Sequence, residues 1–211
     1  LADYRIMVIP GGFTYGDDIA AGKVLANELR LKLGEEILRF IEEGGLILGI
    51  CNGFQVLVKA GFLPDPTKGS ASSVTLTNND SGKFECRWVH LEANRNSPCV
   101  FTQGVDRMYL PVAHGEGKLV ALPGLLAEVS IALRYIDEDG NNRARYPHNP
   151  NGSVDNIAGI CDDSGRIFGL MPHPERHLRG TQHPQWTRLG SKKYGDGFQV
   201  FRNAVKWARS L

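Results

Sequence analysis

A chain of 211 residues suffices for one ordinary domain with its own core and does not force a second. Hydrophobic and charged fractions of 42% and 22% are those of a globular protein, which excludes a disordered one. With 24 basic and 23 acidic residues the formal net charge is +1, so electrostatics gives no reason to expect nucleic acid or an anionic membrane as partner.

The apolar runs at residues 6–10 and 46–50 fall far short of the about 20 residues of a membrane span, and no signal peptide is visible. Cys51, Cys86, Cys99 and Cys161 are scattered, without a C-x-x-C pair, which predicts a reducing, cytoplasmic setting. The chain opens on Leu1 and reaches a strand almost at once, so it reads as the remainder of a longer protein.

In chain order, residues 5–9 predict a buried strand that ends in Pro10-Gly11-Gly12. Residues 27–43 have helical spacing, with Leu29, Leu33, Ile37, Leu38 and Ile41 on one face. A second buried strand follows at 46–50, and a helix at 52–60 after almost no loop. Residues 74–77 and 84–91 look like antiparallel strands separated by 78–82. Further strands are predicted at 131–136, 157–160 and 166–171, with a Pro/Gly/Asn-rich loop at 146–153 and a turn at 162–165. An amphipathic helix at 197–211 closes the chain. Strands alternating with helices argue for a parallel α/β sheet.

The most informative segment is Gly49-Ile50-Cys51-Asn52-Gly53-Phe54-Gln55. A strand runs straight into a helix with a nucleophile type at the junction and glycines two residues to either side, the G-x-Nuc-x-G elbow with cysteine in place of serine. The turn cramps the nucleophile's backbone, and side chains at 49 and 53 would collide with the neighbouring strand and helix. At a helix N-terminus a thiolate also faces N–H groups and the positive end of the dipole. The competing reading of Cys51 is a small buried hydrophobe.

A thiol needs a proton acceptor, an orienting group and an oxyanion hole. His173 stands just past a strand end, and Pro174 biases it towards an extended backbone. Extended spacing would turn His173 and Glu175 the same way, so that Glu175 holds the imidazole while His173 faces the thiol. A metal reading of His173, Glu175 and His177 needs a helix that Pro174 makes awkward, so no metal is expected. For the hole, the backbone N–H of Asn52 is one donor, and the loop Pro10-Gly11-Gly12-Phe13 supplies the other. The alternatives for that loop are a plain turn or a phosphate loop, though no G-x-x-x-x-G-K-[ST] follows.

These segments together resemble the class I (triad) glutamine amidotransferases, with G-x-C-x-G-x-Q at 49–55 and H-P-E at 173–175. The resemblance implies a three-layer, mostly parallel doubly wound α/β sheet of flavodoxin-like type with an antiparallel extension. It implies a γ-glutamyl thioester on Cys51, His173 as base and general acid, Glu175 orienting it, and Gln55 helping to hold glutamine.

The segments 10–18, 84–89, 111–117, 146–153 and 171–176 narrow the resemblance to the glutaminase subunit or domain of phosphoribosylformylglycinamidine synthase. It covers nearly the whole chain, read as a single domain over 1–211. Relatives of that kind carry a further strand and helix before the position of Asp3, and the tail 182–196 suits a free subunit or a domain of a larger polypeptide. The implied partner is a synthetase subunit or domain, alone or with a small third subunit, and no cofactor is expected in this chain. ATP and Mg are expected on the synthetase, which makes formylglycinamidine ribonucleotide.

Several residues stay open. His114 and Glu116 read equally as part of the glutamine pocket, as a dock for the synthetase, or as a solvated loop. Arg87 and Trp88 either face a partner or cap the sheet, and Cys86, Cys99 and Cys161 read as ordinary thiols. The 146–153 loop reads as shaped surface, and His177 and His183 as an incidental pair. The competing functions are a stand-alone cysteine hydrolase acting on γ-glutamyl bonds or peptides, and a catalytically silent regulatory module.

Overall fold

The computed structural model describes residues 1–17, 20–68, 73–190 and 192–211, with the side chains of 16, 17 and 68 left aside. Residue 18 of the first glycine-rich segment and residue 191 of the polar tail therefore lie outside the described residues. Strand β1 (Ile6–Ile9) leads through a 3-10 turn at Thr14–Asp17 to helix α1 (Lys23–Glu42). Strand β2 (Leu46–Ile50) runs into α2 (Asn52–Ala60). Then come β3 (Val74–Asn78), β4 (Glu85–Ala93), β5 (Arg107–His114), β6 (Glu116–Ala121) and β7 (Ser130–Ile136). Strands β8 (Ile157–Cys161) and β9 (Ile167–Leu170) precede the short α3 (Trp186–Leu189) and the closing α4 (Phe198–Ala208).

Seven strands form one sheet in the order β1-β2-β9-β8-β7-β4-β5, and β3 pairs with β6 in a separate two-stranded sheet. Only β1, β2 and β9 run parallel; from β9 to β5 every neighbour is antiparallel. The sheet is therefore mixed, and the expected antiparallel extension is its larger part. Its two faces are covered from different places. Gly169 on β9 receives the Phe54 ring of α2, while the adjacent Phe168 packs in a tilted arrangement on Phe101 at 5.6 Å between ring centroids. Asn203 of α4 donates to Phe101 O and Gln103 O at 2.9 and 2.8 Å, which fixes that helix on the Phe168 side. Helix, sheet and helix make the three layers of the expected α/β class.

The strand β2 matches its predicted limits and is buried at all five positions, because β1 and β9 flank it and both faces are covered. Its neighbour β1 is an edge strand, so Val8 is 44% exposed where a buried strand was expected. Helix α1 starts at Lys23, earlier than the apolar spacing suggests, and buries Ala26, Ile37, Phe40 and Ile41. Leu33 and Leu38 fall outside that stripe and are exposed. Strands β3 and β4 are both antiparallel, as expected, yet they pair with β6 and with β5 and β7 rather than with each other.

The loop at 146–153 is exposed at Tyr146 and Pro147, as a surface reading expects, but its second half, 149–153, is a buried polar hub. Fully buried Asn151 donates to Gly117 O at 2.7 Å and to the Tyr135 hydroxyl at 3.2 Å. Its Oδ1 accepts from the Ser153 N–H and hydroxyl at 3.1 and 2.7 Å, and Ser153 Oγ in turn accepts the Leu119 N–H. These bonds tie the loop to β6 and β7. Asn151→Ala orphans several buried groups at once and is expected to cost about 3 kcal/mol, read as a lower urea midpoint with unchanged slope. A change under about 0.5 kcal/mol contradicts the hub.

Candidate active site

The Cys51 N–H still donates to Leu170 O at 2.8 Å, continuing the β2–β9 ladder, and the next residue already begins α2. The reversal falls on Cys51 itself, at φ +51° and ψ −105°, a backbone that L residues rarely adopt. The flanking glycines are there for the predicted reason. A Cβ at 49 would fall 2.6 Å from Leu57 Cδ1 and 2.7 Å from Gly53 O, and one at 53 would strike Ile9 O of β1.

Beyond β9 the chain turns back along β5, where the His173 N–H donates to Pro111 O at 2.8 Å. Pro174 opens a 3-10 turn at Pro174–Arg176, so Glu175 reaches His173 by a turn and not by the expected extended spacing. Glu175 Oε1 accepts from His173 Nδ1 at 2.6 Å. That bond places a proton on Nδ1 and leaves Nε2 as the basic nitrogen, buried and without a hydrogen-bond partner.

Cys51 and His173 meet at one backbone position. A Cβ at Gly11 would stand 2.8 Å from His173 Cε1 and 3.4 Å from Cys51 Cβ. The ring and the thiol-bearing carbon are thus separated by no more than the sum of those distances. The structure thus brings residues 51, 173 and 175 into one neighbourhood.

On the other side of the thiol lies a cavity of about 510 Å³ lined by Gly12, Cys51, Gln55, Lys83, Phe84 and His114, among others. Gly12 has φ +147° and faces open space. The Cys51 thiol donates to Ala113 O at 3.6 Å on the cavity wall. Asn52 accepts the Thr14 hydroxyl at Oδ1 and donates to Gln55 Oε1 at 3.1 Å. Gln55 donates to Glu116 O, so this buried amide braces Asn52 against the strand β6.

His114 is buried rather than part of a solvated loop, and Glu116 sits 3.6 Å from Lys59 Nζ. The ring of His114 touches Asn79 Oδ1 at 3.0 Å. Burial, reinforced by His173 nearby and opposed by Glu85, lowers its pKa to about 4. Asn79 was not legible as a site residue; it lies in a segment read as a turn, and its partner is 35 residues away.

Other sequence candidates fall elsewhere. Arg87 donates to Glu85 and to the Tyr146 hydroxyl, and Trp88 packs on Tyr109 at 5.2 Å. His177 donates to Tyr109 O at 2.8 Å and lies 5.8 Å from the His183 ring, in a second cavity of about 440 Å³ apart from Cys51. Among the described residues no group of three His, Cys, Asp or Glu is placed to hold a metal ion. None of the cysteines is in a disulfide, and no described helix is long and apolar enough to cross a membrane.

The low His114 pKa makes stability depend on pH. The unfolded chain takes the extra proton near pH 6.5 while the folded one resists it to about 4, so stability falls as pH drops across that window. Urea midpoints measured there are expected to decline with acid in the native protein and less steeply in His114→Asn. Parallel profiles contradict the assignment.

Over residues 1–208 the chain matches the family described as CobB/CobQ-like glutamine amidotransferase domain. It is 60% identical to phosphoribosylformylglycinamidine synthase subunit PurQ of Dehalococcoides mccartyi over the whole chain and 82% of that protein. The PurQ subunit of Methanococcus maripaludis is 42% identical over 98% of this chain and 82% of that one. Among solved structures, PurLQS from Thermotoga maritima is similar at 35% identity and TM-score 0.75, covering 98% of this chain and 81% of that one.

Proposed function

The chain belongs to the CobB/CobQ-like glutamine amidotransferase family, and from that premise we propose that it is the glutaminase component of phosphoribosylformylglycinamidine synthase. It hydrolyses glutamine to glutamate and ammonia and supplies the ammonia to a synthetase partner. That partner converts formylglycinamide ribonucleotide to formylglycinamidine ribonucleotide in purine biosynthesis, and ATP and Mg belong to it. The similarity to PurLQS supports an assembly with the synthetase and a small third subunit. A reducing, cytoplasmic setting fits four cysteines that form no disulfide.

The observation that carries the mechanism is His173 held between two groups, with Glu175 at 2.6 Å from Nδ1 and the thiol-bearing carbon of Cys51 sharing Gly11 as neighbour. Cys51 Sγ attacks the carboxamide carbon as its proton passes to His173 Nε2. The oxyanion meets the backbone N–H of Asn52 and one from the Gly11-Gly12 loop, at a helix N-terminus that favours negative charge. The imidazolium then gives its proton to the departing nitrogen. Ammonia leaves a γ-glutamyl thioester, which water attacks with His173 again as base. Glu175 keeps the Nδ1–H tautomer throughout. Gly12, Gln55 and His114 line the substrate side.

Glutamate release by the complex with its synthetase tests this. Cys51→Ala is expected to abolish release, and His173→Ala to slow it by about 10² or more. Full activity of Cys51→Ala overturns the mechanism. Hydrolysis of γ-glutamyl peptides as fast as glutamine favours a stand-alone hydrolase instead.

A further inference from the structure

The loop between β1 and the 3-10 turn carries one half of the oxyanion hole, yet it has little of its own to keep it in place. Among the described residues no hydrogen bond engages the N–H of Gly11 or of Gly12, and Pro10 has no N–H to offer. Gly12 stands at φ +147°, and nothing lies within 4 Å of where its Cβ would be. Two free N–H groups suit an oxyanion, but glycine backbone is the least pre-organised carrier of them. A donor that must meet a developing charge within about 0.5 Å needs an anchor at each end of such a loop.

At the near end the anchor is β1, whose Ile9 pairs with Gly49 and sets its carbonyl against Gly53. At the far end it is Thr14, the first residue after Phe13. Its hydroxyl donates to Asn52 Oδ1. Asn52 is the residue whose backbone N–H is the other donor, so this one bond joins the two halves of the hole.

The direction of that bond is forced from the opposite side. Glu116 O can only accept, so Gln55 meets it with Nε2 and presents Oε1 to Asn52. Asn52 answers with Nδ2 at 3.1 Å, which leaves its Oδ1 towards Thr14. An amide oxygen accepts, so the hydroxyl must donate. The relay runs from the backbone of β6 through two buried amides to a half-buried hydroxyl.

We propose that Thr14 is a positioning residue for the oxyanion hole: by donating to Asn52 it fixes the Gly11-Gly12 N–H groups relative to the N–H of Asn52. This rests on the glutaminase reading above. The attack of Cys51 and the later attack of water both place negative charge on the same oxygen, so a loosened hole slows either step.

Thr14→Val keeps the shape of the side chain and loses the donor, whereas Thr14→Ser keeps the donor. In the complex with its synthetase, Thr14→Val is expected to release glutamate with kcat lowered about tenfold and KM unchanged, because the hole acts on the transition state rather than on bound glutamine. Thr14→Ser is expected to recover most of that loss. Alkylation of Cys51 by iodoacetamide builds no oxyanion. Its rate, followed by peptide mass spectrometry, is therefore expected to be the same in Thr14→Val and in the native protein. A changed labelling rate means a disturbed elbow and overturns the proposal. So does a raised KM at native kcat, or a Thr14→Ser variant as slow as Thr14→Val.

Asn52→Ala removes the acceptor instead. Adding Thr14→Val to it is expected to cost nothing further, and another tenfold loss would show that the two side chains act separately and contradict the proposal. Native kcat in Thr14→Val sinks the assignment of Thr14 alone and leaves the glutaminase reading intact. A native complex that releases no glutamate removes that reading, and Thr14 with it.

Discussion

Leu170 O still takes the Cys51 N–H into the sheet, and Asn52 already belongs to a helix, so the chain has one residue in which to turn. Holding a cysteine at φ +51° costs about 1–3 kcal/mol, which the surroundings must supply. They supply it by close packing of backbone on backbone, with Gly53 against Ile9 O and Gly49 against the Gly53 carbonyl. The strain has a chemical product. It lifts the thiol out of the sheet to the wall at Ala113 O, with the His173 ring near its Cβ, and sets the first turn of α2, with its positive dipole end, behind it.

The second half of the site hangs on one strand edge. β5 is the last strand of its sheet, and its outward carbonyls recur at alternate residues as strand geometry requires. Ala113 O takes the Cys51 thiol, Pro111 O the His173 N–H, and Tyr109 O the His177 imidazole. An edge that would otherwise invite another chain becomes the rail along which the 173–177 segment is laid. Pro111 fits there because its missing N–H faces outward and breaks no ladder bond with β4. His114 ends the same strand, so the nucleophile, the base and the substrate-side imidazole share one support.

The sequence revealed what is encoded locally. The spacing of glycines about Cys51 carries its own steric reason, and His173 and Glu175 stand two residues apart, so their grouping was legible although the 3-10 turn that joins them, in place of extended backbone, was not. What escaped is encoded over distance. Strand β5 carries a proline and β6 begins in the glycine-rich run 114–117, so neither was among the predicted strands. The strands at 74–77 and 84–91 are both antiparallel as expected, but their partners were not legible, since β3 finds β6 far along the chain, at Val74↔Ala121. Asn151 and Asn79 looked like turn residues, and only burial turns their amides into a hub and a clamp.

The central claim is that one sulfur, at one strained turn, carries the glutamyl group. The complex is mixed with isotopically labelled glutamine, quenched in acid and digested, and each cysteine peptide is weighed. A labelled γ-glutamyl thioester on the Cys51 peptide alone is the predicted result. Label on Cys86, Cys99 or Cys161, or glutamate released with no adduct at any time point, would contradict it.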